Sequence, residues 1–219
     1  MDYVEKTPVR LRVASIVRDA ILSGEFPAGR LLSLTETAEL LRVSRTPVRE
    51  AFQLLQSEGL LELRMNRGAL VKPVNTKFIT DHFDMRGLLE GEAIYRAISN
   101  GMDSAILQEA QDKATARSAI SEEEYDEYNQ RFHQAIWHAS GNDKLFSMLD
   151  SLWNGPSYSH TKGREVDHGK SIAEHDVIVE CVRQRDANRG RDVMREHIVR
   201  SMNIILGNRG QIAVPEHAE

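Results

Sequence analysis

The order of short helical and β patterns in the first 75 residues restricts the fold more than any other feature of this sequence. Apolar residues recur at helical spacing over residues 9–21, and this pattern stops at Ser23-Gly24, before the Pro-Ala-Gly turn at 27–29. A second helix is predicted from Ser33, which starts the capping-box sequence Ser-Leu-Thr-Glu. Ser44 is a suitable N-cap for a third helix, and Pro47 is tolerated in its first turn.

Two short β segments follow at residues 60–65 and 69–71, with the turn Asn-Arg-Gly at 66–68 between them. Residues 72–75 are predicted to form a linker. Three helices followed by a β-hairpin, with short connections, is the layout of a winged helix-turn-helix. We therefore expect an N-terminal domain of this fold at residues 7–74.

Beyond residue 75 the sequence changes to long amphipathic helical patterns without sustained strand alternation. These patterns predict six helices, at about residues 76–100, 103–120, 122–140, 143–160, 170–184 and 186–207. Helix ends are expected at the Asn-Gly or Gly-Asn pairs 100–101, 141–142 and 207–208. The chain is thus predicted to be mainly α, with a C-terminal all-α helical bundle at residues 80–208.

Charge divides the chain at about the same place. Residues 1–75 contain 11 Lys or Arg and 9 Asp or Glu, whereas the remainder contains 17 basic and 24 acidic residues. The first part therefore carries a net charge of +2 and the rest −7, within a total of −5. Phosphate is repelled by the second part and weakly attracted by the first, so any DNA contact is expected in the first third of the chain.

The composition also indicates the setting in which the protein acts. No apolar run approaches the roughly 18 residues needed to cross a bilayer, and the N-terminus lacks the layout of a signal peptide. Cys181 is the only cysteine, so an intrachain disulfide is impossible. We expect a cytoplasmic protein with no membrane partner.

Arg45 and Arg49 lie four residues apart on the predicted third helix, on the side opposite its apolar residues. Arginine at this position of a recognition helix can bind guanine O6 and N7 in the major groove. Thr46 beside the helix N-terminus suits a phosphate oxygen. Arg67 and Gly68 at the predicted wing tip can approach the DNA backbone or the minor groove. The alternative is that the arginines only form a solvated helix face.

The N-terminal part combines five short motifs. They are Ile-Leu-Ser-Gly at 21–24, Pro-Ala-Gly-Arg-Leu at 27–31, Val-Ser-Arg-Thr-Pro-Val-Arg-Glu-Ala at 43–51, Glu-Gly-Leu at 58–60 and Asn-Arg-Gly at 66–68. With these motifs, residues 9–74 resemble the GntR family of regulators. The resemblance implies that Arg45, Arg49, Arg67 and Gly68 contact operator DNA. Arg42 stands where the family usually has Gly, so the turn there must accommodate a side chain.

Three of the eight histidines lie beside apolar residues on different predicted helices. These are His133, His175 and His197, and Asn129 precedes His133 by one helical turn on the same face. Three imidazoles and an oxygen suit a divalent transition metal with open positions for water or a carboxylate. The alternative is that each histidine is a satisfied core residue. The remaining histidines are expected to face elsewhere or to lie at the surface or in loops: His82, His138, His160, His168 and His217.

The C-terminal part also carries a set of motifs. They are Arg86-x-x-Leu89-Glu90, Asn129-x-x-Phe132-His133, Ser140-Gly141-Asn142, Glu174-His175-x-x-Ile178 and His197-Ile198. With them, residues 80–207 resemble the FCD domain of the FadR branch of GntR regulators, and the six predicted helices resemble its VanR-like members.

The resemblance implies a metal such as zinc or nickel, which many members bind through an Asp and three His. These positions correspond to Asn129, His133, His175 and His197. Because Asn replaces the usual Asp, the metal would be held more weakly or would be more Lewis-acidic toward an anion. Arg86 corresponds to a family Arg that lines the same cavity and can pair with an effector carboxylate. Its alternative is a surface ion pair with Glu90.

Two functions of different class follow from these patterns. The first is a homodimeric repressor that binds a palindromic operator and is controlled by a small organic-acid effector. The second is a metalloenzyme, because three histidines and an open metal position can also activate water. The sequence has no His-Glu-x-x-His motif and no obvious general base, so we expect a regulator and not an enzyme.

Overall fold

The structure is a computed structural model that describes residues 8–65, 67–115, 121–153 and 168–209. Its elements in chain order are α1 (Val9–Leu22), β1 (Leu31–Leu32), α2 (Leu34–Leu41), α3 (Arg45–Ser57), β2 (Leu61–Arg64), β3 (Gly68–Val71), α4 (Thr76–Ser99), α5 (Ser104–Thr115), α6 (Glu122–Ala139), α7 (Asp143–Trp153), α8 (His168–Arg183) and α9 (Ala187–Arg209). The chain divides into two compact units, with the boundary on α4 between Phe78 and Ile79. The expected class, mainly α with a small β-hairpin, is confirmed.

In the first unit, α1 packs against α3 through apolar side chains at helical spacing. Side chains of these two helices that are almost fully buried include Val17, Val48, Phe52 and Leu55. At the edge of this core, the guanidinium of Arg18 on α1 donates two hydrogen bonds to Glu58 just after α3, at 2.8 and 2.6 Å. The ion pair is almost completely buried and fixes the C-terminal end of α3 against α1.

The wing contains one strand more than the sequence predicts. The two-residue strand β1 pairs antiparallel with β3, and β3 pairs antiparallel with β2, in the order β1-β3-β2. Gly68 belongs to β3 and not to the turn, and its φ is +99°. A Cβ on Gly68 would lie 2.0 Å from the carbonyl oxygen of Leu32, so glycine is required here for close strand packing.

The turn between α2 and α3 accommodates the side chain of Arg42, as the sequence requires. Arg42 adopts a left-handed conformation, with φ of 53°, at the C-cap of α2. Ser33 caps the N-terminus of α2 by accepting a hydrogen bond from the Glu36 amide. Ser44 is the N-cap of α3 as predicted, although its side chain forms no capping hydrogen bond in the part of the chain that the structure describes.

The second unit is built from helices that follow the predicted boundaries closely where they are described. Gly101 and Gly141 follow α4 and α6 with φ of 84° and 65°, which confirms two of the predicted helix ends. The third is wrong, because Gly207 lies inside α9. The predicted extensions over 116–120 and 154–160 fall outside the described residues.

The core of the second unit is formed mainly by α4, α6, α8 and α9. Fully buried apolar side chains from these helices include Ile94, Phe132, Ile136, Trp137, Ile178, Met194 and Ile198. Three histidines and a glutamate are buried among them, and they form the site described below. Over the described ranges, every helix is too short or too polar to span a bilayer.

Candidate nucleic-acid interface and metal centre

A groove of about 490 Å³ lies between α3 and the wing of the first unit. Its cationic lining residues are Arg45 and Arg49 from α3 and Arg64 and Arg67 from the wing. All four arginines are exposed, and the described lining residues include no Asp or Glu. A concave surface with four cationic side chains is suited to a polyanion such as the DNA backbone.

Four of the five sequence-predicted residues line this groove: Arg45, Arg49, Arg67 and Gly68. Thr46 is exposed in the first turn of α3 but is not among the described lining residues. Arg64 was not predicted from the sequence, and it forms an exposed 3.2 Å ion pair with Glu62. Alternation along β2 places Arg64 outward while Leu61 faces the core, and this alternation is the sequence signal that could have identified Arg64.

In the second unit, three histidines from three helices meet in the core. His133 of α6, His175 of α8 and His197 of α9 each have a ring nitrogen within 4.8 Å of the other two. At most 4% of any of these residues is exposed. The rings of His133 and His197 are stacked with centroids 5.4 Å apart, and Phe132 stacks on His175 at 4.1 Å. The predicted convergence of the three histidines is therefore present.

Carboxylates hold two of the three rings by their Nδ1 atoms. His133 Nδ1 lies 3.1 Å from Glu90 Oε2, and His197 Nδ1 lies 2.7 Å from Glu174 Oε2. Burial opposes ionisation of Glu90, but His133, Arg86 and Trp137 together lower its pKa to about 2. An ionised carboxylate only accepts hydrogen bonds, so both imidazoles donate from Nδ1.

His175 is held by a phenol instead of a carboxylate. The amide nitrogen of Gln111 donates to the Ile172 carbonyl at 2.6 Å and to Asp176 at 2.8 Å. The amide oxygen of Gln111 is therefore directed away from these two acceptors, toward Tyr128. The Tyr128 hydroxyl donates to that oxygen. Because the hydroxyl proton is used there, the Tyr128 oxygen accepts from His175 Nδ1, 2.6 Å away.

All three imidazoles thus carry their proton on Nδ1 and present the lone pair of Nε2. The Nε2 atoms of His175 and His197 lie only 3.4 Å apart. Burial lowers the pKa of His197 to about 4. Burial also lowers the pKa of His175 well below 6.5, and the charge that His197 and His133 would carry if protonated acts in the same direction. Two neutral rings that face each other with lone pairs repel, and a shared cation removes that repulsion.

Asn129 lies one turn before His133 on α6. Its Oδ1 is buried and has no hydrogen-bond partner within the described residues. An amide oxygen left without a partner in a protein core costs free energy of about 1–3 kcal/mol. Three neutral Nε2 atoms and an available carbonyl oxygen fit a divalent transition metal such as zinc or nickel, and such a metal would supply positive charge and Lewis acidity.

Arg86 does form the ion pair with Glu90 that the alternative interpretation proposes, but the pair is buried and not at the surface. Both side chains are buried, and the guanidinium lies 3.3 Å from Glu90 Oε1. Glu90 therefore touches Arg86 through one oxygen and His133 and Trp137 through the other. Glu90, Glu174, Tyr128 and Gln111 were not identified from sequence as partners of the histidines. Glu90 and Glu174 stand in the motifs quoted above, whereas Tyr128 and Gln111 carry no sequence signal.

Some of the remaining histidines lie where the sequence predicts and others do not. His138 is exposed and contacts Phe146 outside the cluster, with the two rings tilted and their centroids 4.3 Å apart, as expected for a histidine that faces elsewhere. His82 and His168 are half-buried, which corrects their expected surface location. Burial and the charge of Arg86 lower the pKa of His82 to about 4, and His168 stacks on Tyr125 at 4.0 Å. His160 and His217 lie outside the described residues.

Comparison with known proteins gives a consistent result for both units. Residues 9–71 match the bacterial regulatory proteins of the gntR family, and residues 81–200 match the FCD domain. The chain is 32% identical over 160 residues to a protein of Paenarthrobacter nicotinovorans named "Probable D-xylose utilization operon transcriptional repressor", covering 69% of this chain and 70% of that protein. It is 25% identical to the gluconate operon transcriptional repressor of Bacillus subtilis, covering 84% and 79%.

A solved structure shares the whole fold. McbR/YncC of Escherichia coli has a TM-score of 0.68 and 24% identity, over 93% of this chain and all of that one. GntR regulators bind operator DNA through the helix-turn-helix domain, and FCD domains bind small-molecule effectors. The family consists of regulators and not of enzymes, which decides against the metalloenzyme alternative. This chain therefore belongs to the GntR family of bacterial transcriptional regulators and has an FCD domain as its C-terminal part.

Proposed function

We propose that this regulator is a homodimeric repressor whose operator binding is controlled by a small carboxylate bound at a metal-containing site. The main observation behind the effector-binding part of this proposal is the convergence of His133, His175 and His197. Each ring is held by its Nδ1 atom so that its Nε2 lone pair is available. Two similar proteins are named as operon repressors, which supports repression. We place the chain in the FadR branch and among its VanR-like members, because the described residues after the wing form six helices, α4 to α9.

The DNA-binding domain is proposed to comprise residues 7–74. Arg45 and Arg49 would read bases in the major groove, where each bidentate contact to guanine contributes about 1–3 kcal/mol of discrimination. Thr46 at the helix N-terminus would contact phosphate, and Arg67 and Gly68 would bring the wing to the backbone or the minor groove. A dimer places two such domains on a palindromic operator in the cytoplasm.

The effector domain is proposed to comprise residues 80–208. Asn129, His133, His175 and His197 would hold zinc or nickel, and the metal would attract the effector carboxylate by its charge. Arg86 would add a second cation to the site. Its contacts with Glu90 are long, at 3.3 Å, so an effector carboxylate can compete for the guanidinium.

Exposed apolar side chains support a second copy of the chain as partner. Met85 and Leu88 lie three residues apart on α4 and are 48% and 51% exposed.

The effector must bind one arrangement of the two DNA-binding domains more tightly than another, because otherwise it does not shift the equilibrium between them.

The proposal is tested by selecting binding sites for the full-length protein from random duplex DNA. We expect enrichment of one palindrome, bound by a dimer, with weaker binding when a metal salt and an active carboxylate from a small-acid panel are both added. If no sequence is enriched at moderate salt, the DNA-binding residues proposed above are wrong. If a palindrome is enriched but no acid changes its affinity, the effector half of the proposal fails.

A further inference from the structure

The donor set of the histidine cluster contains no negative charge. His133, His175 and His197 offer neutral Nε2 atoms because each is protonated on Nδ1, and the side chain of Asn129 is neutral at any ordinary pH. A divalent metal held by these four side chains keeps its full charge of +2. This statement rests on the proposed metal site.

Neither nearby carboxylate is free to neutralise that charge. Glu90 is paired with Arg86 and is already bonded to His133 and Trp137. Glu174 is paired with Arg200 and bonded to His197. Each anion around the cluster is thus balanced by a neighbouring cation. In a core with little water, a metal charge without a compensating anion is strongly disfavoured.

We propose that Asn129 makes the binding of metal and effector mutually dependent, so that the site holds a metal tightly only together with a small carboxylate. The carboxylate supplies the negative charge that an aspartate at position 129 would supply. The metal in turn increases the affinity for the carboxylate by the same factor, because coupling between two binding equilibria is reciprocal. The regulator then responds to the two ligands jointly, and an acid without metal, or a metal without acid, has little effect.

The orphaned oxygen of Asn129 supports this role. A residue that served only packing would have its buried amide oxygen bonded to a neighbour, whereas this oxygen lacks a partner among the described residues. Asp and Asn have nearly the same shape, so Asn129→Asp changes the charge of the site with little change in packing. The substitution therefore isolates the electrostatic contribution.

The experiment measures Ni²⁺ affinity of metal-free, untagged full-length protein by calorimetry, with acetate or succinate or with the same ionic strength of chloride. For the unmodified protein we expect at least one carboxylate to strengthen Ni²⁺ binding about fivefold or more. Asn129→Asp should bind Ni²⁺ about tenfold more tightly without carboxylate, and its response to carboxylate should largely disappear. Asn188→Asp, which adds the same charge at an exposed position of α9, should behave like the unmodified protein.

The inference is overturned if Asn129→Asp binds Ni²⁺ no more tightly than the unmodified protein, or if carboxylates strengthen binding equally in both. His197→Ala separates this failure from failure of the proposed site. If His197→Ala abolishes Ni²⁺ binding while Asn129→Asp has no effect, the metal site stands and only the coupling is wrong. If Ni²⁺ binding is unaffected by His197→Ala, both proposals fail.

Discussion

His175 and His197 face each other through their Nε2 atoms, which lie 3.4 Å apart. The opposite side of each ring is anchored, to Tyr128 for His175 and to Glu174 for His197. The two lone pairs are therefore directed at each other by hydrogen bonds that come from different helices. This arrangement costs free energy in the absence of a cation, and the cost is recovered when the cluster binds one.

Removal of the Tyr128 hydroxyl should weaken metal binding. In Tyr128→Phe, His175 Nδ1 loses its acceptor, so the ring is no longer fixed in the form that presents Nε2. We expect Zn²⁺ affinity to fall by about 10- to 100-fold, the usual effect of losing a partner of a metal-binding histidine. Competition with a chromophoric chelator measures the affinity, and nitrogen NMR shifts of His175 report which ring nitrogen carries the proton.

The matched control is Tyr125→Phe on the same helix. Tyr125 is also buried, but its hydroxyl binds Ser171 at 2.7 Å and not a histidine of the cluster. Its loss should reduce stability without changing Zn²⁺ affinity or the protonation of His175. Equal loss of affinity in both variants would mean that the Tyr128 effect is a general loosening of α6.

Glu90→Gln should destabilise the FCD domain. The substitution leaves the buried guanidinium of Arg86 without its anion, and loss of one partner of a buried ion pair costs about 3–5 kcal/mol. We expect the free energy of unfolding, measured with urea on metal-free protein, to fall by an amount of that order. Glu109→Gln disrupts the exposed pair with Lys113 and should have a much smaller effect, because exposed ion pairs contribute little to stability. Similar small costs for both variants would contradict the assigned role of Glu90.

Arg49→Ala should weaken binding to the selected operator by about 5- to 150-fold and affect random DNA much less. The reason is that a bidentate contact to guanine contributes about 1–3 kcal/mol to one base pair. Arg12→Ala removes the same charge from an exposed position of α1, outside the groove, and should have little effect on sequence preference. Gel-shift titrations with operator and scrambled duplexes provide the measurement. A uniform loss on both duplexes would make Arg49 a phosphate contact.

His82 should contribute to acid sensitivity of the metal-free protein. Its pKa is lowered from 6.5 to about 4 by burial and by Arg86, so the folded state resists protonation. The unfolded chain binds a proton below pH 6.5, and stability therefore falls as the pH drops from about 6.5 to about 4, by at most about 1.4 kcal/mol per pH unit. His82→Gln should reduce this slope in urea titrations. An unchanged slope would show that His82 is protonated freely in the folded protein.

Much of the fold could be predicted because local patterns determine it. The capping sequence at Ser33, the glycines at 101 and 141 and the apolar spacing of the helices all act within a few residues of chain. Strand β1 was missed because two residues are too short to show alternation. Gly207 was misread because a glycine near the end of a helical pattern does not by itself end the helix.

The candidate site could be predicted only in part for a related reason. The three histidines stand in recognisable motifs, but their anchoring partners depend on how the helices pack. Gln111 and Tyr128 come from α5 and α6 and meet His175 of α8, and no local spacing encodes that contact. The burial of Arg86 and Glu90 has the same origin, since the i,i+4 pair looks identical on a solvated face.

The most direct test of the account is the metal content and Zn²⁺ affinity of untagged full-length protein, compared with His175→Ala and His138→Ala. His138 is an exposed histidine on the same helix as His133 and serves as the control. With a small carboxylate present, we expect one metal per chain, bound in the unmodified protein and in His138→Ala and lost in His175→Ala. Absence of metal binding under all conditions, with or without carboxylate, or equal binding in His175→Ala, would contradict it.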